Sequence, residues 1–223
     1  MKTKIEQLCN LIINNPGVYG IFSRPSFGKT TFLMQLTDEI LKRKEGKAFV
    51  LSLEMSKEQL VKKAKLINLD YNKLIILEDD LEDQYIEELE FALHENEKPT
   101  LIVVDYFQLL VSFTKYENFL KLKELSKVYS IPLLITGGLS RRAQYRELGR
   151  PELEDLPHPA NIDDFDTVIF LHRDNNESCC IFEGDHSKEF RENRTELIFV
   201  KNVFEHLDNI FIELTPKEIK FIY

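Results

Sequence analysis

The chain has 223 residues, 43% hydrophobic and 30% charged, with a formal net charge of −9 at pH 7. This length suits one α/β domain, and the composition excludes a disordered chain. No apolar run approaches the roughly 20 residues that span a bilayer, and the acidic balance excludes a broadly basic nucleic-acid-binding surface while allowing a local patch.

In chain order, residues 1–15 carry Ile5, Leu8, Leu11 and Ile12 at helical spacing, and Asn15-Pro16-Gly17 ends that helix as a turn. The apolar run Val18 to Phe22 predicts a buried strand. Thr31 to Lys44 places Phe32, Leu33, Leu36, Ile40 and Leu41 on one helical face, and Gly46 stops it. Lys47 to Leu53 predicts a second buried strand. Ser56, with Gln59 three residues on, predicts a capping box for a helix to about Ile67. Leu74 to Leu77 predicts a short strand, Asp83 to Asn96 a helix, and Thr100 to Val104 a strongly apolar strand ending at Asp105. A helix over Tyr116 to Tyr129 and a strand over Ile131 to Thr136 follow, closed by Gly137-Gly138. Leu139 to Pro159 predicts a polar loop, and Thr167 to Leu171 a strand. Cys179 to Phe182 is a candidate edge strand. Glu196 to Val200, Ile210 to Leu214 and Ile219 to Ile222 are spaced like an antiparallel set. Strands that alternate with helices and then cluster predict an α/β fold with a mostly parallel twisted sheet. Helices cover both of its faces, and an antiparallel extension follows at the C-terminal end. The expectation is one domain over residues 1–223.

The chemistry concentrates in Ser23-Arg24-Pro25-Ser26-Phe27-Gly28-Lys29-Thr30, between the first strand and the helix beginning at Thr31. This strand–loop–helix order is the context of a phosphate-binding P-loop. Gly28 lets the backbone approach a phosphate, and the N–H groups opening the helix point at the anion. Lys29 reaches the β- and γ-phosphates of ATP, and the Thr30 hydroxyl ligates Mg²⁺. Ser23 stands where the usual pattern begins with Gly. An ordinary strand-to-helix turn would leave the order Gly28, Lys29, Thr30 unexplained.

Asp105, after four apolar residues, is a candidate second Mg²⁺ group in a Walker B arrangement, or a cap on the next turn. Glu54 is expected to end the strand after the P-loop helix, on the ligand side of a parallel sheet. It is a candidate general base for the attacking water, or a helix N-terminal acid that favours the dipole. Gln108 is a polar contact near the phosphates or a cap. Arg141, Arg142, Arg146 and Arg150, with Tyr145 interleaved, form either a loop that tracks single-stranded nucleic acid or a solvated charged loop partnered by Glu147 and Glu152. None of the three cysteines forms a C-x-x-C pair, and the five histidines show no H-x-x-x-H spacing, so no zinc site is expected. Residues 1–6 lack a signal-peptide apolar core. The expectation is a cytoplasmic, reduced protein whose metal is Mg²⁺.

Ser23 to Phe32 (SRPSFGKTTF), Leu51 to Ser56 (LSLEMS) and Leu101 to Leu110 (LIVVDYFQLL) resemble the C-terminal ATPase domain of the bacterial replicative helicase family, DnaB. Arg150-Pro151, Asp155-Leu156 and Ile169 to Asp174 (IFLHRD) continue the resemblance in order. It implies a RecA-like fold, a ring-shaped hexamer, ATP hydrolysis between subunits and movement along single-stranded DNA. It implies that Lys29 and Thr30 bind phosphates and Mg²⁺, that Glu54 is the catalytic base and that Asp105 is the Walker B acid. Departures accompany it. The family's primase-contacting N-terminal domain and its linker helix have no counterpart. Gly138 stands where the family has a γ-phosphate-sensing glutamine. Pro157 to Ala160 stands in place of its DNA-gripping loop. Lys201 of its Lys-x-Arg pair is kept as a candidate for the neighbour's site, but Val203 replaces the arginine finger. The resemblance implies a DnaB-like ATPase acting on or with single-stranded DNA. The alternatives are an ATP-responsive regulatory or loader-type protein, with a helicase or replisome protein as partner and no unwinding by itself, and a RecA- or KaiC-like ATPase.

Overall fold

Strand β1 (Val18–Ser23) is buried along its whole length, as its continuous apolar run requires in the middle of a sheet covered on both sides. The computed structural model describes residues 4–78, 84–94, 98–114, 116–142, 149–173, 194–214 and 219–221. Helix α1 (Lys4–Asn14) precedes β1. After β1 come α2 (Lys29–Arg43), β2 (Ala48–Ser52), α3 (Lys57–Leu66), β3 (Leu74–Glu78), α4 (Gln84–His94) and β4 (Leu101–Asp105). Next are α5 (Phe107–Thr114), α6 (Tyr116–Tyr129), β5 (Leu133–Gly138) and β6 (Thr167–His172). The chain closes with β7 (Arg194–Asn202), β8 (Ile210–Leu214) and β9 (Ile219–Phe221).

The strands form one sheet in the order β3-β2-β4-β5-β1-β6-β7-β8-β9. All pairings from β3 to β6 are parallel, and β7, β8 and β9 continue antiparallel, as expected from the spacing of the last strands. Alternate residues feed two cores. Tyr19, Ile21, Val50 and Val103 face one side with Leu8, Phe32, Leu36 and Leu60 from α1, α2 and α3. Val18, Phe22, Phe49 and Val104 face the other, with Leu89, Phe107 and Phe119 from α4, α5 and α6. On that second face Phe22 meets Phe107, Phe165 and Phe170 edge to face, with ring centroids 5.4–6.5 Å apart.

Three details differ from the sequence expectation. Helix α5 has no predicted counterpart. Its residues prolong the apolar run of β4, and apolar periodicity alone does not separate the two. Helix α2 begins at Lys29 rather than Thr31, because the Phe32 N–H already bonds to the Gly28 carbonyl at 2.8 Å. Strand β7 runs from Arg194 to Asn202, longer than Glu196 to Val200. The expected capping box of α3 is present, the Gln59 Oε1 accepting from the Ser56 N–H at 3.0 Å and the Ser56 side chain facing the Gln59 N–H, while the Ser56 hydroxyl also donates to Glu58 at 2.8 Å. Cys179 to Phe182, Tyr145 and Arg146 lie outside the described residues. Among the described residues, no helix is long and apolar enough to cross a membrane.

Candidate functional site

The chain leaves β1 for β2, which lies beyond β5 and β4 on one side, and later reaches β6 on the other. The carboxyl end of β1 is therefore a topological switch point, where open parallel sheets present a ligand crevice. The loop 24–28 occupies it. Ser23 is the last residue of β1, paired with Gly138 and Leu171, and its hydroxyl donates to the Arg24 carbonyl at 2.9 Å. It is an ordinary strand residue, which is why serine is accommodated where the usual pattern has glycine. Arg24 lies over the Phe27 ring at 5.3 Å, Phe27 is buried, and Pro25 and Ser26 are exposed. Gly28 is left-handed, with φ +84°, and opens the 15-residue helix α2. A Cβ there would lie 3.1 Å from Leu214 and 3.4 Å from the Arg173 guanidinium. Gly28→Ala is expected to cost about 1–2 kcal/mol through its backbone conformation. Urea unfolding with an unchanged slope checks this.

Helix α2 presents Lys29, Thr30 and Thr31, each half-buried, in its first turn. The Thr30 hydroxyl donates to Asp105 Oδ2 at 2.7 Å, and the Thr136 hydroxyl makes a short hydrogen bond to Asp105 Oδ1. Asp105 ends β4 and is 1% exposed, so both carboxylate oxygens are held by hydroxyls from α2 and β5. Lys29 Nζ lies 3.5 Å from the Arg24 carbonyl and 5.7 Å from the Tyr106 ring centroid. Burial lowers its pKa, and the charges of Glu54 and Asp105 partly offset that.

Glu54 is exposed and sits two residues beyond the end of β2, not at the strand end. Its bend is fixed on both sides. The Leu53 N–H donates to the Asp105 carbonyl at 2.7 Å, and the Ser52 hydroxyl donates to the Met55 carbonyl at 2.5 Å. Gln108, in α5, clasps the end of β5. Its Nε2 donates to the Gly138 carbonyl at 2.6 Å, and its Oε1 accepts from the Gly138 N–H at 3.1 Å.

Three residues here escaped sequence reasoning. Thr136 was visible only as a strand end, Tyr106 only as the neighbour of Asp105, and Arg173 only inside the block Ile169 to Asp174. Arg173 follows β6. Its guanidinium donates to the Thr195 hydroxyl at 2.9 Å and to the Leu214 carbonyl at 3.2 Å, and burial lowers its pKa.

The remaining candidates lie apart. Arg141 and Arg142 are exposed. Both terminal guanidinium nitrogens of Arg150 donate to the Glu196 carboxylate, at 2.6 and 2.8 Å, so this side chain anchors the loop to β7. Lys201 lies where β7 pairs with the first turn of β6, at the end of the sheet opposite the loop 24–28. Its Nζ donates to the Ile162 carbonyl at 3.1 Å and lies 3.8 Å from Asp163. Val203 is 57% exposed.

Fold and crevice together define a RecA-like α/β ATPase-type domain. The profile of the DnaB-like helicase C terminal domain matches residues 13–95 and 68–222, and the chain belongs to that family. The chain is 28% identical to the probable replicative DNA helicase of Trieres chinensis, over 90% of this chain and 52% of that protein. Thus it spans about half the length of that relative. A solved structure of a DnaB-like replicative helicase, described together with its interactions with primase, superposes with a TM-score of 0.74 at 17% identity, covering 94% of this chain and 58% of that one. A KaiC-like protein of Pyrococcus horikoshii OT3 superposes with a TM-score of 0.67 at 12% identity, covering 96% and 94%. The family match separates the DnaB-like assignment from the KaiC-like one, whereas the fold is common to both.

Proposed function

We propose that this chain binds ATP with Mg²⁺ at the loop 24–28 and hydrolyses it slowly, as a replicative-helicase-type ATPase. The observation that carries this is the Thr30–Asp105 hydrogen bond at 2.7 Å, made at the mouth of the helix that Gly28 opens. It pairs a hydroxyl and a carboxylate oxygen where a magnesium ion on a nucleotide needs them. Two protein oxygens suit Mg²⁺, whose other ligands are normally phosphate oxygens and water. Among the described residues, no group of three or more His, Cys, Asp or Glu competes as a metal site.

Thr30 and Asp105 would hold Mg²⁺, which supplies positive charge to the phosphate chain. The N–H groups of Gly28 to Thr31 would hold the phosphates along the helix dipole. Lys29 would leave the Arg24 carbonyl for the β- and γ-phosphates. Arg173, beside Gly28, adds a second cation on the β6 side. Glu54 would take the proton of the attacking water.

The surroundings favour an enzyme that depends on others for coupling. Lys201 cannot reach its own nucleotide from the far end of the sheet, which is compatible with a role on a neighbour's. Its ammonium is already engaged at Ile162 and Asp163. An exposed valine at 203 offers no guanidinium, and a finger arginine is worth about 10³–10⁵ in turnover where it operates. Arg141 and Arg142 are the remaining described candidates for single-stranded DNA, against a net charge of −9. The reading that follows is an ATP-responsive domain that acts on DNA with a helicase or replisome partner. The isolated chain is expected to be monomeric or weakly associated, to turn over ATP slowly and to leave a forked duplex intact. Light scattering with a labelled-fork assay checks this, and ATP-dependent strand separation by the chain alone would restore the plain helicase reading.

A further inference from the structure

Tyr106, between β4 and α5, is half-buried. Its hydroxyl lies directly over the Cα of Gly138 at the end of β5. A Cβ on residue 138 would collide with the phenol oxygen. The backbone of Gly138 is fixed from below by Gln108, which accepts its N–H and donates to its carbonyl. The Lys29 ammonium lies over the ring, 5.7 Å from its centroid. The space that a side chain at residue 138 would take is thus occupied by the phenol oxygen.

Lys29, over the Tyr106 ring, and Gly138, beside its hydroxyl, both belong to the crevice formed by the loop after β1 and the end of β5.

We propose that the Tyr106 hydroxyl donates to the terminal phosphate of a bound nucleoside triphosphate, and so distinguishes triphosphate from diphosphate. This rests on the nucleotide-binding reading above. A neutral donor suits the position, since it adds a hydrogen bond to the transferred group without a further charge next to Lys29. It contacts only the group that hydrolysis removes. The β-phosphate is left to the α2 amides and Lys29.

The test is Tyr106→Phe, which keeps the ring beside Lys29 and deletes one oxygen. ATPγS and ADP affinities are measured with Mg²⁺ for both proteins by titration calorimetry. The expected result is unchanged ADP affinity and ATPγS affinity weakened about tenfold or more, the size of one hydrogen bond to a charged group. An unchanged ratio of the two affinities would overturn the assignment, as would equal weakening of both nucleotides, which marks a structural role. If the unmodified chain bound neither nucleotide, the nucleotide-binding reading itself would fall, a result distinct from either.

Discussion

Replacing Glu54 by Gln is expected to leave Mg·ATP bound and to lower turnover by about 10²–10⁴-fold, the range for removing a general base. The substitution preserves shape and hydrogen-bonding capacity but cannot take a proton. The bend that carries Glu54 is fixed by its backbone and by Ser52, so its position does not depend on the carboxylate. The charge nevertheless reaches the site, since it contributes to the pKa shifts of both Lys29 and Tyr106. Removing it leaves the Lys29 ammonium less supported in the free protein, and bound phosphates restore that support. Single-turnover hydrolysis beside equilibrium binding separates the two effects. Lost binding with normal turnover of whatever ATP remains bound would make Glu54 a structural residue.

Lys29→Ala is expected to weaken Mg·ATP by about 10²-fold or more. A hydrogen bond to a charged partner is worth about 1.5–3 kcal/mol, and an ammonium on a phosphate chain makes more than one. In the free protein Lys29 is half-buried, its pKa is depressed by burial, and its nearest acceptor is a single carbonyl at 3.5 Å. It is therefore held ready for an anion rather than consumed by a fold contact. Loss of the lysine is expected to leave unfolding stability unchanged, so weaker nucleotide binding in this variant would not trace to misfolding.

The sequence made the crevice legible because local chemistry dictates it. An apolar strand, the run Gly28-Lys29-Thr30 and an amphipathic helix follow one another in the chain, although the helix opens at Lys29, two residues before the expected Thr31. A mostly parallel sheet with an antiparallel close followed from strands that alternate with helices and then cluster, whereas the order of the strands did not. What stayed hidden depends on distant parts of the chain. Thr136 meets Asp105 across 31 residues of sequence, and Arg173 meets the P-loop only because β6 pairs with β1. Gly138 looked like a lost amide when aligned with the family pattern. In three dimensions the space it leaves is occupied by Tyr106, and its backbone is held by Gln108, both from the segment that follows β4. Helix α5 was hidden because Phe107 and Leu110 are as apolar as the strand before them, and a turn of one residue separates the two elements. Arg150 belonged by composition to a basic loop, but its partner Glu196 lies 46 residues away.

The central claim is that Gly28 to Thr31, with Asp105, form a Mg·ATP site in this chain. Titration of Mg·ATP into the unmodified chain and into Lys29→Ala, side by side, tests it most directly. The account predicts saturable one-to-one binding in the first, dependent on Mg²⁺, and binding weakened about 10²-fold or more in the second. Equal affinity in both proteins, or no binding in either, would contradict it.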